Sequence, residues 1–72
     1  VSWPFSGPAM LPEGDTAHIV DGWRHLGSAA DDSEVHELLN DPRPAFDRDI
    51  YRILAKHAGR LIPLPAPFRR TQ

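Results

Sequence analysis

The fold class depends on one stretch of the chain, residues 15–26, which reads DTAHIVDGWRHL. Its apolar residues recur at helical spacing, and Asp15 is a suitable N-terminal cap for a helix. Asp21-Gly22 between β-forming residues is instead a signal for a β-hairpin. Trp23 and Leu26 would share one face of a helix but lie on opposite faces of a strand. This spacing favours a helix over 16–26, with a hairpin as the alternative.

Two further helices are predicted downstream. The segment 44–58 begins at Pro44, which suits the first turn of a helix, and stops before Gly59, a good C-terminal residue. A shorter helix over 33–40 would be capped by Asp31 or Asp32. Because it is too short to be stable alone, we expect it to pack on the longer helix as an antiparallel helical hairpin. The predicted fold is therefore all-α, with two or three short helices.

Proline marks both ends of the chain. Three prolines recur every fourth residue at the front and three recur every second residue near the end: Pro4, Pro8, Pro12, Pro63, Pro65 and Pro67. Proline restricts its own backbone and that of the preceding residue, so neither segment is expected to form a helix or a central strand. We predict an extended N-terminal arm over 1–14, a small helical domain over 15–60 and an extended basic C-terminal arm over 61–72.

Charge is distributed unevenly along the sequence. All ten acidic residues lie between Glu13 and Asp49, and with three arginines they give residues 1–49 a net charge of -7. Residues 50–72 carry five bases and no acid. On the 44–58 helix and just beyond it, the bases recur at four-residue steps: Arg48, Arg52, Lys56 and Arg60. This row either pairs with the acids of the preceding helix or meets an acidic partner or phosphates.

The arms carry half of the six aromatic residues of the chain, namely Trp3, Phe5 and Phe68. Aromatic side chains on a stiff arm usually bury against something, because a stiff arm loses little entropy on docking. We predict a partner-binding surface in which these aromatics are apolar anchors and the bases set orientation: Arg52, Lys56, Arg60, Arg69 and Arg70. In the alternative, the arms fold back and complete the core of the chain itself.

Several kinds of chemistry receive little support. The absence of cysteine removes disulfides, thiolate zinc sites and cysteine nucleophiles. His18, Asp21 and His25 would share a helix face only if 16–26 is helical, and they match no signature metal motif. His57 falls on the apolar side of its helix, which is typical of a packed core histidine. We therefore predict no metal site, no cofactor and no enzymatic activity.

The function expected from these features is that of a small, non-catalytic accessory subunit or interaction module that docks on a larger protein through its arms and a helix face. The alternative is a small nucleic-acid-associated regulator that uses the basic row of the 44–58 helix. No apolar run reaches the roughly 18 residues needed to span a membrane, so we expect a cytoplasmic protein without membrane contact.

Overall fold

A four-stranded antiparallel sheet forms the centre of the molecule. The structure, a computed structural model, describes residues 2–65. Three strands form a meander: β1 (Ala9–Glu13), β2 (Thr16–Asp21) and β3 (Arg24–Ala29). Two helices follow, α1 (Asp32–Asn40) and α2 (Arg48–Lys56), then a 3-10 turn (Ala58–Arg60) and the short β4 (Ile62–Pro63). The strand order is β3-β2-β1-β4, so the last strand returns to the free side of the first.

Both hairpins of the meander close with two-residue turns. Gly14 opens the first turn with φ 60°, the glycine-first arrangement of a type II′ connection. In the second turn both Gly22 and Trp23 have positive φ, at 59° and 65°, as a type I′ turn requires. Segment 16–26 is therefore a β-hairpin, and the predicted helix there is wrong.

The two faces of the sheet bury two separate apolar clusters, so the sheet is covered on both sides. The cluster on one face is built from Ala9, Leu11, Val20, Trp23, Leu54 and Leu61, with α2 packed over it. The cluster on the other face is built from Ile19, Ala29 and Leu64, with Val35, Leu38 and Leu39 of α1 packed against it. Helices α1 and α2 therefore lie on opposite faces of the sheet. The fold is α/β, and the predictions of an all-α fold and of a helical hairpin are both wrong.

Because both faces of the sheet are covered, the spacing of Trp23 and Leu26 did not indicate a helix over 16–26. Trp23 belongs to the cluster under α2, whereas Leu26 packs against the cluster under α1. The two residues do lie on opposite faces, as strand geometry demands. Because a helix covers each face of the sheet, both residues can pack against an apolar cluster although they lie on opposite faces. A register shift beside Ile19 and Val20 also leaves Leu26 without a partner on β2, as expected at a β-bulge.

Helix α1 differs from its predicted bounds by one residue at its start, and α2 is shorter than predicted at both ends. Asp31 caps α1 by accepting a hydrogen bond from the backbone N–H of Glu34 at 3.0 Å, and it is one of the two caps predicted. Helix α2 begins only after Asp47, whose Oδ1 accepts from the N–H groups of Asp49 at 2.8 Å and Ile50 at 3.2 Å. Pro44 lies before the helix. The connection between the helices is held by Arg43, whose Nε donates to Oδ2 of Asp21 at 3.1 Å.

The N-terminal segment is partly an internal strand of the sheet, so the prediction that it forms no central strand is wrong. Residues 9–13 form β1, which pairs along its length with β2 but with β4 only at Ala9 and Met10. Pro12 therefore lies where β1 has no described neighbour on the β4 side, and its missing N–H breaks no hydrogen bond there. Before the strand, Trp3 donates from Nε1 to the carbonyl of Gly7 at 2.9 Å.

Candidate functional site

The outward face of α2 carries a row of exposed bases. Ile50, Tyr51, Leu54 and Ala55 point toward the sheet, which leaves Arg48, Arg52 and Lys56 exposed on the other side of the helix. Arg60 continues the exposed set in the 3-10 turn. Within residues 2–65, the ion pairs are His18 with Glu13 and Arg43 with Asp21. In the described part of the chain, the bases of α2 and Arg60 therefore form no ion pair.

Half of the ten acids lie in the segment of α1, on the other face of the sheet. Residues 31–41, which hold α1 and its cap, contain five acids and no lysine or arginine, whereas residues 48–60 contain four bases and one acid, Asp49. Since α1 and α2 lie on opposite faces of the sheet, the pairing of these two charge sets that the sequence allowed does not form among residues 2–65. The asymmetry along the sequence becomes an acidic face and a basic face.

A groove of about 380 Å³ opens between α2 and the sheet. Ile50, Ile53, Leu54 and His57 line it from the helix, and Arg60 lines it from the turn that follows. From the sheet, the groove is lined by Leu11, Pro12, Glu13, His18 and His25. It is mainly apolar, with titratable groups on both the sheet side and the helix side. Ile53 is 53% exposed at its edge.

Three of the sheet residues form a chain of hydrogen bonds along the groove. Nε2 of His18 lies 2.6 Å from Oε1 of Glu13 and donates to it. Nδ1 of His18 lies 3.0 Å from Nε2 of His25, and one ring supplies the hydrogen according to the tautomer. Burial, and secondarily the charge of His18, lower the pKa of His25 from its ordinary value of 6.5. His25 is therefore neutral at pH 7 and can accept or donate a hydrogen bond.

The aromatic residues of the N-terminal segment pack on the core of the chain itself. Trp3 meets Trp23 edge-on at 5.1 Å between ring centroids and Phe5 at 5.2 Å. Trp23 also meets Tyr51 at 5.2 Å, and Tyr51 meets Phe46 at 5.8 Å. Trp3 and Phe5 are thus half-buried, whereas Phe46 at the other end of this row is 55% exposed.

The predicted site residues are only partly brought together. Arg52 and Lys56 are exposed on α2 and Arg60 is exposed in the 3-10 turn that follows, while Trp3 and Phe5 lie in the aromatic row. Phe68, Arg69 and Arg70 lie outside the described residues. Phe46 and Ile53 were not predicted to be exposed, although both are more than half exposed. His57 was predicted to be a packed core histidine, but it lines the groove. No local signal could have found the groove, because it joins residues 11–25 of the sheet to residues 50–60, which are distant in the sequence.

The three residues weighed as metal ligands are not assembled as such. His18 bonds to Glu13 and His25, but Asp21 pairs with Arg43 on its own. Across residues 2–65, no group of three or more candidate ligands is placed to hold a metal ion. In the same part of the chain, no helix has the length and apolar character required to cross a membrane.

The geometry thus defines a small α/β domain with one basic helix face beside a mainly apolar groove. A family model described as the excinuclease Cho C-terminal domain matches residues 8–67, which is most of the chain. The chain belongs to this family. Comparison with curated proteins and with solved structures gave no match. Membership in an excinuclease family points to a nucleic-acid-related role.

Proposed function

We propose that this chain is a non-catalytic nucleic-acid-binding module of an excinuclease, which lays the outer face of α2 along the phosphate backbone. The observation that carries the proposal is the placement of the two helices of opposite charge on opposite faces of the sheet. Although the chain has a formal net charge of -2, this arrangement lets the face of α2 attract phosphates while the opposite face does not.

The exposure of the basic side chains and their lack of ion pairs support contact with phosphates. Arg52 and Lys56 lie one helical turn apart on the exposed face, and the described residues provide neither with an ion-pair partner. An arginine or lysine side chain that is already exposed and has no ion-pair partner loses little hydration when it contacts a phosphate. The contact also releases condensed counterions from the nucleic acid. The acidic face around α1 would repel a second strand, so the module would bind in one orientation.

The test is fluorescence anisotropy with a labelled DNA duplex of about 20 base pairs in a salt series from about 50 to 200 mM. With up to four phosphate contacts, log K should fall against log salt with a slope of about -3.6, so affinity should drop about 150-fold over this range. Arg52→Gln and Lys56→Gln should each reduce the slope by about 1 and weaken all sequences alike.

Glu37→Gln is the matched control, because it makes the same kind of neutral substitution on the acidic face. It should leave the slope unchanged. Duplex binding that ignores salt, or that responds equally to Glu37→Gln and Lys56→Gln, would contradict the proposal.

A protein partner is the second candidate, favoured by three exposed large apolar residues: Phe46 at 55%, Ile53 at 53% and Ile62 at 44%. In that case the chain is an accessory module that docks on a larger protein, as the sequence suggested, but through these residues rather than through Trp3 and Phe5. A complex recovered from source cells after nuclease treatment should survive high salt and be released by Phe46→Ser. Loss of the complex in moderate salt would argue against apolar docking.

A further inference from the structure

The groove beside α2 has the volume and lining of a site for a small molecule. Its volume of about 380 Å³ falls in the lower part of the range of about 300–1,000 Å³ that is usual for ligand sites. Leu11 provides apolar surface on the sheet side, and Ile50 and Ile53 provide it on the helix side. A ring that enters between them would make apolar contact on both of its faces.

Polar groups are placed where the edge of such a ring would reach. Glu13 retains acceptor capacity beyond its bond to His18, because its side chain is 72% exposed and only Oε1 is engaged within the described residues. His25 can offer or accept a hydrogen bond on the same sheet face. A ligand with apolar faces and a hydrogen-bonding edge fits this arrangement.

Positive charge is present at the helix side of the groove. Arg60 lines it directly, and Lys56 is a surface neighbour of Ile53, three positions further along α2. Residues 2–65 contribute no ion pair to Arg60 or Lys56. The charge at the edge of the groove is therefore complementary to a phosphate attached to the bound ring.

We propose that the groove receives one unpaired nucleobase of a nucleic-acid strand, with Arg60 and Lys56 on the flanking phosphates. This inference rests on the proposed function and names the form of nucleic acid that the site selects. A nucleobase has apolar faces and a hydrogen-bonding edge, and its phosphate lies close by. Only an unpaired base is available, since the faces of a paired base are stacked and its edge is engaged.

Histidine and arginine also suit this role chemically. The imidazole of His57 and the guanidinium of Arg60 are planar groups on which bases stack in single-strand recognition. His57 is half-buried at the end of α2, so its ring is held in place more firmly than a fully exposed one. A base stacked there would continue into the apolar part of the groove.

The test compares two DNA probes with equal numbers of phosphates: a single strand of about 15 nucleotides with a central 2-aminopurine, and a duplex. At one salt concentration, the protein should bind the single strand at least about fivefold more tightly. The 2-aminopurine fluorescence should change on binding as the base leaves its neighbours in the strand and enters the groove.

The matched variants are Ile53→Asn in the groove and Ile62→Asn outside it. Both residues are about half exposed, so neither substitution should unfold the domain, and circular dichroism verifies this. Ile53→Asn should abolish the preference for the single strand and leave duplex binding unchanged, whereas Ile62→Asn should alter neither. Equal effects of the two variants would overturn the inference.

The outcomes also separate the two proposals. If the duplex and the single strand bind equally well and the 2-aminopurine signal does not change, the inference about the groove fails while the proposed function stands. If neither probe binds at low salt, both fail. A preference that is lost in Ile53→Asn alone supports both.

Discussion

Trp23 occupies a backbone position that glycine or asparagine usually fills. Its φ of 65° costs about 1–2 kcal/mol for a residue with a Cβ atom. The side chain is nevertheless buried, with 5% exposure, and meets Trp3 and Tyr51 edge-on. Burial of a large aromatic ring offsets this strain, so the turn conformation is imposed by packing as well as by Gly22.

Truncation of this ring should therefore destabilise the domain severely. We expect Trp23→Ala to lower the free energy of unfolding by about 3–5 kcal/mol, a large fraction of the stability of so small a domain. Urea denaturation followed by circular dichroism measures the change. Phe46→Ala is the control, since Phe46 is 55% exposed, and it should cost less than about 1 kcal/mol. Similar losses in both variants would show that Trp23 is not central to the core.

Gly27 is required by both its backbone and its surroundings. Its φ is 153°, and a Cβ atom there would lie 2.7 Å from Cδ2 of Leu38 on α1. We expect Gly27→Ala to lower the free energy of unfolding by about 1–3 kcal/mol. Gly59→Ala meets open space at an ordinary φ and should change it by no more than about 0.5 kcal/mol. Thermal unfolding of the Gly27→Ala and Gly59→Ala variants measures the difference. Equal melting temperatures for the two variants would contradict the expectation.

The lowered pKa of His25 makes stability depend on pH. As the pH falls below 6.5, the unfolded chain binds a proton that the folded chain resists, because burial and the charge of His18 disfavour it. Stability should therefore be highest at and above neutral pH and should fall on acidification until the pH passes below the folded pKa. His25→Gln should make the melting temperature less dependent on pH over this window. A wild-type melting temperature that does not change with pH would contradict the assignment.

At the scale of single elements, the sequence predicted what is encoded locally. Both observed helices have local signals: an apolar stripe, acids near the start and a capping aspartate. The 16–26 hairpin was not predicted because its evidence is not local. Trp23 is buried on one face and Leu26 is half-buried on the other, and this becomes evident only once a helix is known to cover each face of the sheet.

The candidate site likewise has one part that local sequence patterns predict and one part that depends on contacts between distant segments. Helical periodicity predicted a row of Arg48, Arg52, Lys56 and Arg60, of which the first three lie on α2 and Arg60 lies in the 3-10 turn that follows. The groove joins residues from 11–25 to residues from 50–60, segments whose contact depends on the hairpin and on the path of the chain between the helices. No pattern within either segment indicates that contact.

The cap of α2 is a testable element-scale feature. Asp47 accepts two backbone hydrogen bonds at the start of the helix, so Asp47→Ala should lower the free energy of unfolding by about 1 kcal/mol. Asp47→Asn retains an acceptor oxygen and should lower the free energy of unfolding by only about a few tenths of a kcal/mol. Chemical denaturation of the two variants provides the comparison. An equal loss in both would mean that the negative charge, rather than the hydrogen bonds, stabilises this end.

At the scale of the whole molecule, the sheet separates the charges of the two helices. Five acids lie in the segment that holds α1 and four bases in the segment that holds α2, with a layer of strands between them. The net charge of -2 therefore describes the molecule poorly, because a partner meets one face at a time. At short range, the local charge and not the sum governs association.

This separation predicts unusual behaviour in ion-exchange chromatography. At neutral pH and low salt, we expect the chain to be retained on heparin despite its net negative charge, because the α2 face can contact the polyanion without the α1 face. The double variant Arg52→Gln, Lys56→Gln should elute at lower salt, and Asp32→Asn should not. Passage of the wild-type chain straight through heparin would show that the acidic face dominates.

Pro12 has a consequence for how the molecule behaves at high concentration. Among the described residues, β1 has no neighbour beside Leu11 to Glu13 on the β4 side, and an open strand edge is a template on which further chains can add and aggregate. A proline in the middle of that edge offers no N–H to an incoming strand and interrupts the ladder. The residue that looked like part of an extended arm thus protects the domain from edge-to-edge polymerisation, and Pro12→Val should lower the concentration at which it begins to aggregate.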